Sequence, residues 1–244
     1  MIKKIKRVIT RINSLRKSLW CFMAGEAKVS FSQYGEDVLL RGFLEERVNN
    51  SDYRGFWVDI GAHDPYRFSN TKLFSDIGWR GLNVDAMPDA IEKFAKYRPN
   101  DINVNVGVGD TDGDLDYYIF NDYVVNTFSK AFADEVIKNG GELKGIKKVP
   151  VVTLKALLDR YLPKDQYIDF MTIDTEGLDI EILKSNDWGK YKPDYILIEL
   201  HPRKGGIVGN WSIPCGEVSM YLREKGYRFV GQCFCTTLFA KISN

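Results

Sequence analysis

The 244 residues include only four cysteines, eight prolines and two histidines, and each scarcity excludes something. Cys21, Cys215, Cys233 and Cys235 are too few and too irregularly spaced for a disulfide framework or a four-ligand zinc site, so a reducing cytoplasm suits them best. Glycine and proline are too sparse for a collagen, and 44% hydrophobic residues are too many for a disordered tail. No apolar run in the basic leader reaches the ~18 residues that a bilayer-spanning helix needs. What remains is a soluble folded chain, of a length that suits one large domain with an appended segment.

The net charge of +1 conceals an asymmetry, because residues 1–20 hold seven Lys or Arg and no acid. The rest of the chain therefore carries an excess of acid and is no nucleic-acid binder by charge. On a helical wheel Ile2, Ile5, Val8, Ile9, Ile12, Leu15, Leu19 and Trp20 fall within one arc of about 140°, with only Arg16 intruding. Lys3, Lys6, Arg7, Arg11 and Lys17 take the other side. The expectation is an amphipathic helix over residues 1–27, preceding a folded domain over residues 28–244. Such a helix lies on an anionic membrane surface, or it packs on the domain or on a second subunit of an oligomer; the pattern is common to both.

From Phe56 onward, short runs of branched and aromatic residues alternate with helical patterns, which predicts an α/β fold with a parallel sheet covered on both faces. The expected strands are Phe56 to Ala62, Gly81 to Ala86, Ile102 to Gly109, Tyr167 to Thr175 and Tyr195 to His201. Between Asp114 and Val152 two further strands flank a polar helical stretch around Lys130 to Asn139, which reads as a small β insertion. Tyr227 to Gln232 and Thr236 to Lys241 predict a terminal antiparallel hairpin.

Open α/β sheets bind ligands beyond the carboxyl ends of their strands, and these ends are polar. They read Asp59-Ile60-Gly61-Ala62-His63, Asp85, Gly109-Asp110, Asp174-Thr175-Glu176-Gly177 and Glu199-Leu200-His201. An acid after one strand is commonly a cap or a solvated turn; five consecutive polar ends are harder to assign that way. Gly61 lets a ligand approach the first turn, and Asp85, placed where nucleoside-binding sheets carry a ribose acceptor, offers oxygens to both hydroxyls. The G-x-G-x-x-G phosphate fingerprint is absent, so a pyrophosphate cofactor fits poorly, whereas S-adenosylmethionine carries the ribose without phosphates and a cation that acids tolerate. Ser69-Asn70-Thr71 offers donors to its carboxylate, or is a simple helix cap.

Phe56-Trp57-Val58-Asp59-Ile60-Gly61-Ala62, Ser69-Asn70-Thr71, Gly78-Trp79-Arg80-Gly81, Val84-Asp85 and Ile173-Asp174-Thr175-Glu176-Gly177 together resemble the FkbM family of S-adenosylmethionine-dependent methyltransferases. Ser32-Gln33-Tyr34-Gly35-Glu36-Asp37 resembles the segment that precedes the fold in members linked to surface-glycan gene sets. The resemblance spans roughly residues 30 to 201 and departs from the family pattern at Asp85, where Glu is frequent, and at Leu178, where alanine is usual. It implies a Rossmann-like class I methyltransferase sheet of seven strands ending in an antiparallel hairpin. It further implies O-methylation of a sugar, nucleotide sugar or glycan in bacterial capsule or O-antigen assembly, on the cytoplasmic side of a membrane. Gln33, Asp59, Gly61, Ala62, His63, Asn70, Asp85, Ala86, Asp110 and Asp174 are then the expected cofactor contacts.

Methyl transfer to oxygen needs alignment and removal of the hydroxyl proton. Asp174 and Glu176, two residues apart on an extended segment, point the same way; one serves as base, or both bind a divalent cation. His201 is a second candidate base and His63 a third. Against these stand plainer readings, Glu176 as a cap, His201 as a loop residue and His63 as a turn residue. Tyr117, Tyr118, Phe120, Tyr123 and Asn126 suit stacking on a sugar, or form one half-buried strand. The loop from Pro202 to Trp211 closes over an acceptor or is plain surface. Two other functions stay open at this point: a nicotinamide-dependent oxidoreductase, and a non-catalytic membrane-docking module on the same fold.

Overall fold

The computed structural model describes residues 2–24, 27–200 and 216–242. In chain order these form α1 (Ile2–Met23), α2 (Glu36–Phe43), α3 (Glu45–Asn49), β1 (Phe56–Ile60), α4 (Lys72–Asp76), β2 (Arg80–Asp85), α5 (Pro88–Tyr97), β3 (Ile102–Asn105), β4 (Gly107–Gly109), β5 (Gly113–Phe120), α6 (Lys130–Lys138), β6 (Leu143–Thr153), α7 (Leu154–Tyr161), β7 (Phe170–Ile173), α8 (Asp179–Lys184), β8 (Tyr195–Glu199), α9 (Glu217–Glu224), β9 (Tyr227–Cys233) and β10 (Thr236–Lys241). The chain divides into two compact units, residues 1–30 and 31–244. The first is the helix α1, on which Ile12, Leu15, Leu19, Trp20 and Met23 are exposed.

The second unit is an α/β domain around a seven-stranded sheet of order β3-β2-β1-β7-β8-β10-β9. The order reverses between β1 and β7, so the two halves of the sheet diverge there and leave a crevice past their carboxyl ends. Five strands are parallel, and β10 runs antiparallel to both β8 and β9, so the two C-terminal strands form the expected hairpin. β1 and β7 are buried at every residue, the signature of central strands covered on both faces. On one face Leu40, Leu44, Phe74 and Trp79 pack on Trp57, Phe170, Leu197 and Leu238. On the other, Leu154, Leu158, Ile182, Leu183 and Leu222 pack on Val58, Ile60, Met171 and Ile198.

One polar residue inside the sheet shows how this core tolerates hydrogen-bonding groups. Asn83, fully buried on β2, accepts from Trp57 Nε1 at 2.9 Å and donates to Asp101 and Asn103 at 3.0 and 2.9 Å. A buried amide costs little when its polar atoms are matched in this way.

The expected third strand, Ile102 to Gly109, is in fact two strands. The chain breaks at Val106, whose N–H donates to the Asp85 carbonyl, and Gly107–Gly109 leaves the main sheet to pair with β6. Gly107 makes the switch possible, since a Cβ there would lie 2.6 Å from the Phe128 ring and 2.8 Å from Val151. β4, β6 and β5 form a separate three-stranded sheet, in which β5 and β6 are the two strands of the expected insertion and β4 is the end of the expected third strand. Asp110, placed by the sequence at a main-sheet strand end, therefore sits beyond this smaller sheet and is exposed.

Candidate functional site

A cavity of about 330 Å³ opens past the carboxyl ends of β2, β1, β7 and β8, a size within the range of small-molecule sites. Gln33, Asp59, Gly61, Ala62, His63, Asn70, Asp85, Ala86, Asp174 and Glu176 all line it, and Asp110 does not. His201, the Pro202 to Trp211 loop and Cys215 lie outside the described residues.

The turn after β1 fixes the floor. Gly61 adopts φ 82°, its N–H and that of Ala62 both donate to the Val84 carbonyl, and its α-carbon meets β7 so closely that a Cβ would lie 1.8 Å from the Asp174 carbonyl oxygen. The glycine is thus required first by the neighbouring strand, not by a ligand. Gly61→Ala is expected to cost about 3 kcal/mol, combining a left-handed backbone with a backbone clash. Urea unfolding of the variant against wild type measures it.

Asp85 accepts backbone N–H groups from His63 and Met87, each at 2.8 Å, one on each carboxylate oxygen. Those bonds aim the carboxylate into the cavity, and burial raises its pKa against their lowering influence. His63 itself adopts φ 56°, stands 5.4 Å from the Tyr123 ring and has its pKa lowered by burial, so it is a neutral wall residue with an unpartnered Nε2. Asp64, beside it, accepts from the N–H groups of Tyr66 and Arg67 and pairs with Lys93 at 3.0 Å, a turn-closing role.

Asp59 and Arg98 hold the wall below. Arg98, 5% exposed, donates to Thr71 Oγ1 at 2.7 Å, to Ser69 Oγ at 2.9 Å and to the Pro65 carbonyl, and Thr71 donates in turn to Asp59 at 3.2 Å. Burial pushes the Asp59 carboxyl up to about 7, an effect that the Arg98 charge and the Thr71 hydrogen bond only partly offset. Ser69 also accepts from the N–H of Lys72, the first residue of α4, at 3.2 Å, and Asn70 donates to Thr172 at 3.2 Å from the cavity side.

The acidic end comes from β7 and β8. Their register pairs Ile173 with Ile198, which brings the next residues, Asp174 and Glu199, side by side. Carboxylate oxygens of Asp174, Glu176 and Glu199 lie within 4.8 Å of one another. Asp174 opens onto the cavity while protein surrounds it, and desolvation followed by the charge of Glu199 holds its carboxyl well above the usual range. Glu199, the acid beside it, also accepts from the Cys235 thiol at 2.8 Å. Glu176 does not continue the strand: it adopts φ 54°, and its carbonyl accepts from Thr127 at 2.7 Å, tying the β7 turn to the insertion. The first residue of α8 that binds the turn is Asp179, which accepts from Thr175 N–H and Oγ1, both at 3.1 Å.

Glu199 and Glu36 line the cavity beside the residues that the sequence points to. Glu199 was noted only as a strand end, yet it is the partner of Asp174. Glu36, 3% exposed, lines the cavity from the start of α2, and accepts from Thr236 at 3.5 Å and from the Tyr34 N–H at 2.8 Å. Ser32 and Asp37 bond to each other and close the turn that presents Gln33 and Glu36. Tyr117 and Asn126 enter from the insertion, both buried; the Asn126 oxygen accepts from Phe120 N–H, and its amide faces the Tyr117 hydroxyl. Tyr118 and Phe120 belong to the strand β5.

A family model described as the methyltransferase FkbM domain matches residues 59–229. The chain belongs to the FkbM methyltransferase family. In this FkbM-family chain the matched span begins at Asp59 and runs into β9, so it holds the β2, β7 and β8 ends of the cavity, while Gln33 and Glu36 precede it. A crystal structure of methyltransferase FkbM from Methylobacillus flagellatus KT is similar at 12% identity and TM-score 0.45, over 77% of this chain and 43% of that one. The chain thus spans less than half the length of that protein. No curated protein matches it.

Proposed function

We propose that this chain is an S-adenosylmethionine-dependent O-methyltransferase, working in the cytoplasm on a hydroxyl of a sugar, nucleotide sugar or glycan in bacterial surface polysaccharide assembly. One observation carries the cofactor reading: Asp85 and the Asp174 carboxyl face a single cavity from opposite sides of the Gly61 turn, with no phosphate-binding glycine loop between them. The acceptor class rests on the resemblance of the Ser32 to Asp37 segment, which the fold places on that cavity through Gln33 and Glu36.

The residues fit the cofactor. A carboxylate has about four lone-pair sites, so Asp85 keeps acceptor capacity for two ribose hydroxyls after bonding two backbone N–H groups. Asn70 presents an amide to a carboxylate. When bound, the cofactor supplies a methyl group on a sulfonium that departs readily. The chain's part is to align the acceptor and receive its proton. The Asp174 carboxyl is held well above the usual range, which leaves Glu176 and Glu199, the two other carboxylates of the cluster, to take that proton. The three carboxylates are also a hard-oxygen donor set that fits a divalent cation, which would acidify an acceptor hydroxyl held there.

Incubation of the purified chain with S-adenosylmethionine and a panel of sugars, nucleotide sugars and glycans tests this. Release of S-adenosylhomocysteine together with a one-methylene mass gain on an acceptor oxygen is expected. No release across the panel, or a methyl group found on nitrogen or carbon, overturns the O-methyltransferase reading.

A further inference from the structure

We propose that α1 is a membrane-surface anchor, laying its apolar row into the acyl boundary of an anionic lipid bilayer while its basic side meets the headgroups. This goes beyond the catalytic reading and does not depend on it. Residues 1–30 form a compact unit of their own, and in it Leu15, Leu19, Trp20 and Met23 are each more than half exposed. Leu15, Leu19 and Met23 follow one another every four residues, with Trp20 beside Leu19, one stripe of a helix, and such a stripe of large side chains in water needs a cover.

Charge separates a bilayer from a second copy of the helix as that cover. The helix contains no acidic residue, and residues 1–20 hold seven basic ones. Two copies of α1 packed stripe to stripe would bring both sets of cations within a Debye length, with no acid in either helix to compensate. An anionic bilayer does the opposite, neutralising the basic side and burying the stripe in the same contact. Trp20 suits the headgroup level, and Arg11 and Lys17, both exposed, carry charge on stems long enough to reach phosphates from a helix lying flat. Among the described residues no helix is long and apolar enough to cross a membrane, so the helix lies on the surface.

The test is flotation of the full-length chain with phosphatidylcholine vesicles and with vesicles containing phosphatidylglycerol. Wild type is compared with the double variants L15E/L19E and R11Q/K17Q, with solution mass followed by light scattering. Wild type is expected to partition at least about tenfold more strongly onto the anionic vesicles, and R11Q/K17Q to lose about thirtyfold, the product of two basic contacts. L15E/L19E should abolish binding, with melting temperature and methyl-transfer activity on a soluble acceptor unchanged. Should L15E/L19E fail to fold, the vesicle comparison with wild type and R11Q/K17Q still decides. Equal partition onto both vesicle types, anionic binding that survives R11Q/K17Q, or a wild-type dimer that ignores vesicles and becomes monomeric in L15E/L19E overturns the proposal.

Discussion

Asp174→Asn is expected to lower turnover by about a hundredfold to ten-thousandfold while S-adenosylmethionine still binds. The expectation follows from the close pairing of Asp174 with Glu199. Desolvation, then the adjacent Glu199 charge, hold the Asp174 carboxyl well above the usual range, so it keeps a proton more readily than an ordinary aspartate. An asparagine keeps the shape and a donor but cannot release a proton when the neighbouring carboxylate changes charge. Glu199→Gln removes the other half of the pair and also the acceptor of the Cys235 thiol, and should fall at least as far. Glu176→Gln tests the alternative proton acceptor. A kcat drop without a matching loss of cofactor affinity in the first two variants, read by stopped turnover and by cofactor titration, places the pair in the chemistry. Wild-type kcat in all three would remove the cluster from it.

The second large effect is on stability and its dependence on pH. The Asp59 carboxyl titrates at about 7 in the native chain, against 3.8 when unfolded. Between those values the native state holds a proton that the unfolded state has released, so stability falls as pH rises through that window. Below it both states are protonated and nothing is lost; above it both are ionised and the whole loss is in place. At 1.36 kcal/mol per unit the loss is about 4 kcal/mol. Asp59→Asn, which keeps an oxygen for Thr71, should therefore gain on wild type by about that amount between pH 4 and pH 8. Urea unfolding across the range checks it, and parallel profiles would contradict the burial argument. Asp179, raised to about 6 by burial, contributes in the same direction and leaves a residual slope in the variant.

The strand ends are readable in the sequence because each parallel strand is an apolar run that must stop where its backbone meets the crevice, and a polar residue marks the stop. Asp85 and Asp174 follow that rule, while Asp59 comes one residue before the end of β1. Asp110 breaks it: the apolar run Ile102 to Gly109 hides a sheet change at Val106, and periodicity does not register which sheet a strand joins. Glu199 was visible as a strand end, but its role depends on the pairing of Ile173 with Ile198, and a one-residue slip would have sent it to the opposite face. Glu36 was harder still, since it reaches the cavity only through the turn that Ser32 and Asp37 close before α2. For Gly61 the residue was found and its first reason was not; the Asp174 carbonyl, more than a hundred positions later, requires it.

Calorimetric titration of the full-length chain with S-adenosylmethionine, beside Asp85→Ala, tests the account at its base. One molecule taken up per chain by wild type, with affinity lost in the variant, is the predicted result. No heat from wild type, or uptake that is indifferent to Asp85, would contradict it.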